Sequence, residues 1–167
     1  DVIFAMNNQS DKPGYGYQLR LGKTSLTEAW NGGSSQNHFM SGQIMEWFYH
    51  DLAGIQSAQP GFKQFTIKPA IVGDLTWVKS HFDSPYGRLV SNWKRDGNKL
   101  SMDVTIPGNT TATVFVPAKD ATVVTESGKP VDQAAGVKFL RMENNAAVYA
   151  VGSGTYRFQS RLMETIK

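Results

Sequence analysis

The spacing of the apolar residues changes once along the chain, near "QSAQPGFKQ" at residues 56–64, and this change limits the fold more than any other feature. Upstream, Met40, Ile44, Trp47, Phe48, Leu52 and Ile55 recur at i, i+4, i+7, i+8, i+12 and i+15, one broad face of an amphipathic helix over about residues 36–54. Ser34 or Ser35 suits its N-cap and Gly54 its end. A shorter apolar stretch, "DVIFAMNNQ", places Val2, Ile3 and Met6 at helical spacing and stops at Pro13, Gly14 and Gly16. Downstream the period is two. "KLSMDVTI" sets Leu100, Met102, Val104 and Ile106 on one face, as a half-buried antiparallel strand requires. Asp96-Gly97 in "RDGN" suits a hairpin turn back to "GRLVSNWK". "FTIKPA", "DLTWVKSHF", "TATVFVPA", "AVYAVG" and "TYRFQS" read as further short strands divided by Pro, Gly and Asn.

The expected fold is therefore α+β by content, a short helical N-terminal segment over residues 1–58 followed by an antiparallel β-sandwich over 59–167. A sandwich of this size buries its own core. One helix and a helical stub do not, because each needs a second layer against its apolar face. Burial of Trp47, Phe48, Leu52 and Ile55 is worth about 1.5–3 kcal/mol each, so the helix is expected to pack on the sandwich or on a helical domain outside these residues.

Composition removes several classes of function. The formal net charge of +3 comes from scattered basic residues, which argues against nucleic acid as a partner. With no cysteine there is no disulfide framework, thiolate metal site or cysteine nucleophile, and the chain is compatible with a secreted or periplasmic location. No run of about 18 apolar residues occurs and "DVIFAMNNQS" lacks the layout of a signal peptide, so the expectation is a soluble chain without a membrane partner, any targeting signal lying outside it. His50 and His81 stand apart from other ligand types, and neither a metal nor a cofactor is expected. Serine-hydrolase elbow and phosphate-loop motifs do not occur.

Two residues in "TSLTEAWNGGSSQNHFM" carry candidate chemistry. Ser25-Leu26-Thr27-Glu28 fits an S-x-x-E capping box, yet Asn31, Gly32 and Gly33 follow within a turn and leave little helix to cap, so Glu28 is a cap, a turn residue or a catalytic acid-base group. His38 lies at the start of the following helix, about a third of a turn from its apolar stripe, and reads as a structural histidine or one facing a cleft. Of the tryptophans, Trp47, Trp77 and Trp93 fall in apolar patterns and suit a core, whereas Trp30, beside Glu28, suits a ligand.

"GYGYQLRLGKTSLTEAWNGGSSQNHFMSGQIMEWFYHDLAGI", followed by "PGFKQFTIKPAIVGDLTWVKSHFDSPYGRLVSNWKRDGNKLSMDVTIPGNTTATVFVPA", resembles the C-terminal end of the bacterial alpha-L-rhamnosidases, glycoside hydrolase family 78, from Tyr15 to Ala118. The resemblance implies a fold in which the last helices of an (alpha/alpha)6 catalytic barrel precede a small β-sandwich. It implies a hydrolase that releases terminal alpha-L-rhamnose with inversion, acting on a rhamnose-containing oligosaccharide or glycoside. It aligns Glu28 with the glutamate that serves as general base, and His38, Trp30 and Asn37 with residues at the sugar subsite. Thr27 stands where the family carries a tryptophan. The family's general acid lies upstream in the barrel, and residues 1–27 do not match that region, so the chain is expected to need the remainder of the barrel as a partner and to be inactive alone. The competing expectation is a carbohydrate-binding or purely structural sandwich.

Overall fold

The computed structural model describes residues 1–163. It divides into two compact units, Asp1–Phe48 with Ile71–Asp74, and Tyr49–Ala70 with the chain from Leu75 onward.

The first unit is helical and loop-rich. It contains α1 (Val2–Asn7), α2 (Tyr15–Arg20), a 3-10 turn (Phe39–Gln43) and α3 (Ile44–Trp47). Helix α2 begins directly after Gly14, so "PGYGY" opens a helix where the sequence pattern suggested only an end. Gly73 has φ +52°, and a side chain there would enter the ring of Phe4 from α1. Glycine thus lets the 71–74 segment lie against the first helix.

The amphipathic helix expected over 36–54 is a composite of three pitches. The 3-10 turn and α3 are followed by a π-helical turn, Phe48–Leu52. Its N-cap position is His38, without a side-chain cap, in place of Ser34 or Ser35. Met40 and Met45 are exposed, and Ile55 lies on a strand. The π turn takes an extra residue per turn, which carries Leu52 out of the register a regular helix from Met40 would give it. Among the described residues no helix is long and apolar enough to cross a membrane.

The second unit is a β-sandwich. Its strands are β1 (Ile55–Ser57), β2 (Gln64–Ile67), β3 (Trp77–Ser84), β4 (Gly87–Asp96), β5 (Lys99–Ile106), β6 (Thr111–Pro117), β7 (Thr125–Glu126), β8 (Lys129–Pro130), β9 (Val137–Glu143), β10 (Ala146–Val151) and β11 (Gly154–Arg161). They form a five-stranded sheet in the order β1-β2-β6-β10-β9 and a six-stranded sheet in the order β3-β4-β5-β11-β7-β8. Neighbours are antiparallel except β2 and β6, which run parallel with Gln64 opposite Thr111 and Ile67 opposite Val114. The β4–β5 hairpin closes on the pair Asp96–Lys99, and Gly97 takes φ +56°, so the turn centres on Gly97-Asn98, one residue later than Asp96-Gly97.

The core lies between the two sheets. Leu100, Met102, Val104 and Ile106 are buried as their alternation requires, and Tyr149 of β10 stacks against Phe158 of β11 at 6.0 Å across the interior. β6 and β10 carry near-continuous apolar runs because they are central strands of their sheet. The entry to the sandwich is fixed by Gly54, whose φ is +73° and at which a side chain would strike the Lys68–Pro69 backbone, while the Lys68 N–H donates to its carbonyl at 2.8 Å.

Of the three tryptophans expected in a core, two depart from that role, Trp47 being half-buried and Trp77 exposed. Trp93 is 2% exposed, but Trp77 is 58% exposed. On the edge strand β3 it is Val78, opposite Trp93, and Phe82, opposite Leu89, that share the inward face, and Trp77 falls on the opposite phase, across from Lys94. The stretch "LTWVKSHF" has apolar residues on both phases, so alternation alone does not select the buried one.

Candidate active site

The segment between α2 and the 3-10 turn contains no regular element, and its shape comes from side chain to backbone bonds. The Thr27 hydroxyl, 1% exposed as a residue, donates to the Ala29 carbonyl at 2.8 Å. The Gly32 N–H donates to the Ala29 carbonyl at 2.9 Å, and the Gly33 N–H to Asn31 Oδ1 at 2.9 Å, an Asx turn. Gly32 has φ +78° and a side chain there would meet Lys23, so the turn demands glycine. Gln36 Nε2 donates to the carbonyls of Gly32 and Ser34, and its Oε1 accepts from Lys23 Nζ at 3.3 Å. The loop is cross-tied along its length.

These ties bring two of the candidate residues onto neighbouring rungs. The Glu28 N–H donates to the Ser35 carbonyl and the His38 N–H to the Leu26 carbonyl, each at 2.9 Å, so residues 26–28 and 35–38 run side by side. The exposed Glu28 carboxylate accepts the Ser35 N–H through Oε2 at 3.2 Å. That bond replaces the capping box: Glu28 does not head a helix, and its carboxylate reaches forward to residue 35. A surface carboxylate with one backbone donor keeps acceptor capacity on its other oxygen, as an activator of water requires. Asn37 follows on the same returning segment, its N–H donating to Ser35 Oγ at 3.3 Å. His38 is half-buried where this segment enters the 3-10 turn.

Trp30 makes its ring contact with helix α2. Its ring, 38% exposed, meets the edge of Tyr15 at a centroid distance of 5.3 Å and an interplanar angle of 85°. Tyr15, from α2, donates its hydroxyl to the Ser41 carbonyl at 2.6 Å, and burial pushes its phenol above the ordinary value. Tyr15 thus links α2, the Glu28 loop and the 3-10 turn. Residue patterns alone did not single it out. The available signal was the "GYGY" stretch, two aromatics spaced by glycines ahead of an acid-bearing loop. Among the described residues no group of three or more His, Cys, Asp or Glu side chains is arranged to hold a metal ion.

Comparison with known proteins gives this arrangement a context. Residues 1–52 match the bacterial alpha-L-rhamnosidase 6 hairpin glycosidase domain, and residues 54–130 match the bacterial alpha-L-rhamnosidase C-terminal domain. An alpha-L-rhamnosidase of Streptomyces avermitilis is 31% identical over 95% of this chain and 16% of its own length. One from Formosa agariphila is 27% identical over 96% of this chain and 19% of its own. The crystal structure of the Streptomyces avermitilis alpha-L-rhamnosidase complexed with L-rhamnose superposes with a TM-score of 0.84 at 30% identity, over 95% of this chain and 16% of that one. The alpha-L-rhamnosidase from Dictyoglumus thermophilum superposes with a TM-score of 0.83 at 32% identity, over 95% and 18%. The chain spans less than a fifth of the length of these relatives. Two family matches in tandem, running from the helical unit into the sandwich, and a shared fold over nearly every residue carry one conclusion: this chain belongs to the bacterial alpha-L-rhamnosidase family.

Proposed function

We infer that this chain is the C-terminal part of a glycoside hydrolase that removes terminal alpha-L-rhamnose from glycosides with inversion, its helical part completing the catalytic barrel. Glu28 is the general base, and His38, Trp30 and Asn37 form part of the sugar subsite. The observation that carries this reading is the paired backbone of 26–28 and 35–38, which holds Glu28 beside the segment bearing Asn37 and His38.

In the reaction a water oxygen bonds to the anomeric carbon as the glycosidic bond breaks on the opposite face. Glu28 takes the water proton, and an acid from the remainder of the barrel protonates the departing oxygen. Inversion needs these two carboxyl groups about 6.5–9.5 Å apart, with room for the water. Trp30 presents an apolar face to the sugar, and the Asn37 amide and His38 imidazole offer hydrogen bonds to its hydroxyls. The residues described here supply the base and not the acid, so the 167-residue chain has no turnover by itself.

The test is made on the longer enzyme with an aryl alpha-L-rhamnoside. Glu28→Gln lowers kcat about 10²–10⁴-fold, and proton NMR detects the beta anomer as the first product. Glu28→Ala regains turnover with azide, which replaces the deprotonated water. A retained alpha product, or full activity in Glu28→Gln, would overturn the reading, and turnover by the 167-residue chain would overturn its inactivity.

A further inference from the structure

The outward face of the six-stranded sheet carries a trough. Residues directly opposite one another in the antiparallel ladder share a face, which aligns Trp77 with Lys94 and Lys94 with Ser101, and then Ser101 with Gln159. The next row runs from Lys79 through Asn92 and Asp103 to Arg157. These two rows bound a hollow of about 500 Å³. A second hollow of about 420 Å³ shares Lys94, Ser101 and Gln159 with it and continues to Lys99 and Arg161. The two form one elongated depression.

Its chemistry is uneven in a definite way. Among the described residues that line it, Lys79, Lys94, Lys99, Arg157 and Arg161 outnumber Asp96 and Asp103, and beside it the Glu126 carboxylate accepts the Arg157 N–H at 3.1 Å. Arg157 Nε donates to Asp103 Oδ1 at 2.7 Å, which holds the guanidinium over the sheet while that bond engages none of its terminal nitrogens. The Ser80 N–H donates to Asn92 Oδ1 at 2.9 Å and fixes that amide. At one end the exposed indole of Trp77 has the Lys79 ammonium 6.0 Å from its centre.

We propose that this trough binds an acidic, uronate-bearing polysaccharide, with one pyranose ring lying on Trp77 and its neighbours running along the Lys94–Arg161 line. The C–H face of a pyranose is apolar and matches an exposed indole, while its hydroxyls take the donors and acceptors of Asn92, Asp103 and Gln159. The excess of cations selects chains that carry carboxylates. A single-stranded nucleic acid fits less well, since it stacks successive bases on several aromatics, whereas Trp77 is the one exposed aromatic among the described residues lining this trough, with carboxylates in its floor. The proposal requires nothing of Glu28 and stands or falls apart from the catalytic reading.

The experiment is calorimetric titration of the 167-residue chain at pH 7 with oligogalacturonate, dextran, poly-L-glutamate and oligothymidylate. Binding is expected to oligogalacturonate alone. Trp77→Ala weakens it about five- to tenfold, the loss expected for one aromatic contact. Lys79→Glu with Lys94→Glu abolishes it. Circular dichroism checks that each variant keeps its strands. Equal binding of polyglutamate or oligothymidylate would reduce the trough to a general anion surface and overturn the proposal. So would dextran binding as tightly, no binding at all, or a Trp77→Ala variant that binds normally.

Discussion

The indole N–H of Trp93 donates to the carbonyl of Leu52 at 2.8 Å, and one rung away on β4 the Ser91 hydroxyl donates to the carbonyl of Ala53 at 2.6 Å. The last residues of a helix leave carbonyls without intrahelical partners. Here a strand of the sandwich supplies the missing donors, so the π-helical turn ends on a buried hydrogen-bonded seat. Trp93→Phe removes the donor and three of the nine ring atoms, so a cavity adds to the loss. The substitution is expected to cost at least about 1–3 kcal/mol, the penalty for an unsatisfied buried carbonyl, read as a lower urea midpoint at unchanged m-value.

Tyr149 presents the opposite case. Its hydroxyl is buried with no hydrogen-bond partner among the described residues. Tyr149→Phe is expected to be neutral or to stabilise by up to about 1 kcal/mol at pH 7. Burial, helped by the Asp120 carboxylate, pushes the phenol from its ordinary value up to about 12. The folded state therefore holds this proton after the unfolded state has released it. The resulting stability is complete below about pH 10 and is lost as the pH rises to about 12. Thermal melts across that window should fall less steeply for Tyr149→Phe than for the parent. A slope will remain, because burial also raises Tyr15 and Tyr156.

Thr27 fills a closed space beside the site, and its hydroxyl is committed to the Ala29 carbonyl. Introducing a tryptophan with Thr27→Trp should therefore overpack this unit. The expected loss is about 1–3 kcal/mol by chemical denaturation. An unchanged midpoint would mean that the loop relaxes to admit the ring.

Gly54 is restricted by both its backbone angle and its neighbours. Gly54→Ala must place a methyl group against the Lys68–Pro69 backbone at φ +73°. We expect a loss of at least about 1–3 kcal/mol from strain alone, measured by differential scanning calorimetry, with a larger loss if the β1–β2 pairing separates.

Legibility of the fold followed how strongly each pattern excludes alternatives. Leu100 to Ile106 alternate on one phase, and β5 is oriented as read. The change of period near residue 60 marked the passage from helix to sheet, since 3.6 and 2 cannot be satisfied by one geometry. Trp77 departs from the expected core role because its strand has apolar residues on both phases and lies at a sheet edge, where burial is partial. The single helix expected over 36–54 became three pitches because the spacing from Met40 to Leu52 does not distinguish helix types. For the site, residue types narrowed Glu28 to a few roles but could not decide among them. The carboxylate's bond to Ser35 depends on a turn through Asn31, Gly32 and Gly33, and that closure brings together residues seven apart in the chain.

The parallel pairing of β2 with β6 also sets an order of events on the ribosome. Gln64 emerges long before Thr111, and the β3, β4 and β5 meander lies between them. Those three strands can zip by local hairpins as they appear, whereas β1 and β2 wait for a neighbour not yet synthesised. A connection of such long range is slow to close. The β3–β5 meander should thus acquire protection from hydrogen exchange first, and β2 should lock only after β6 has emerged.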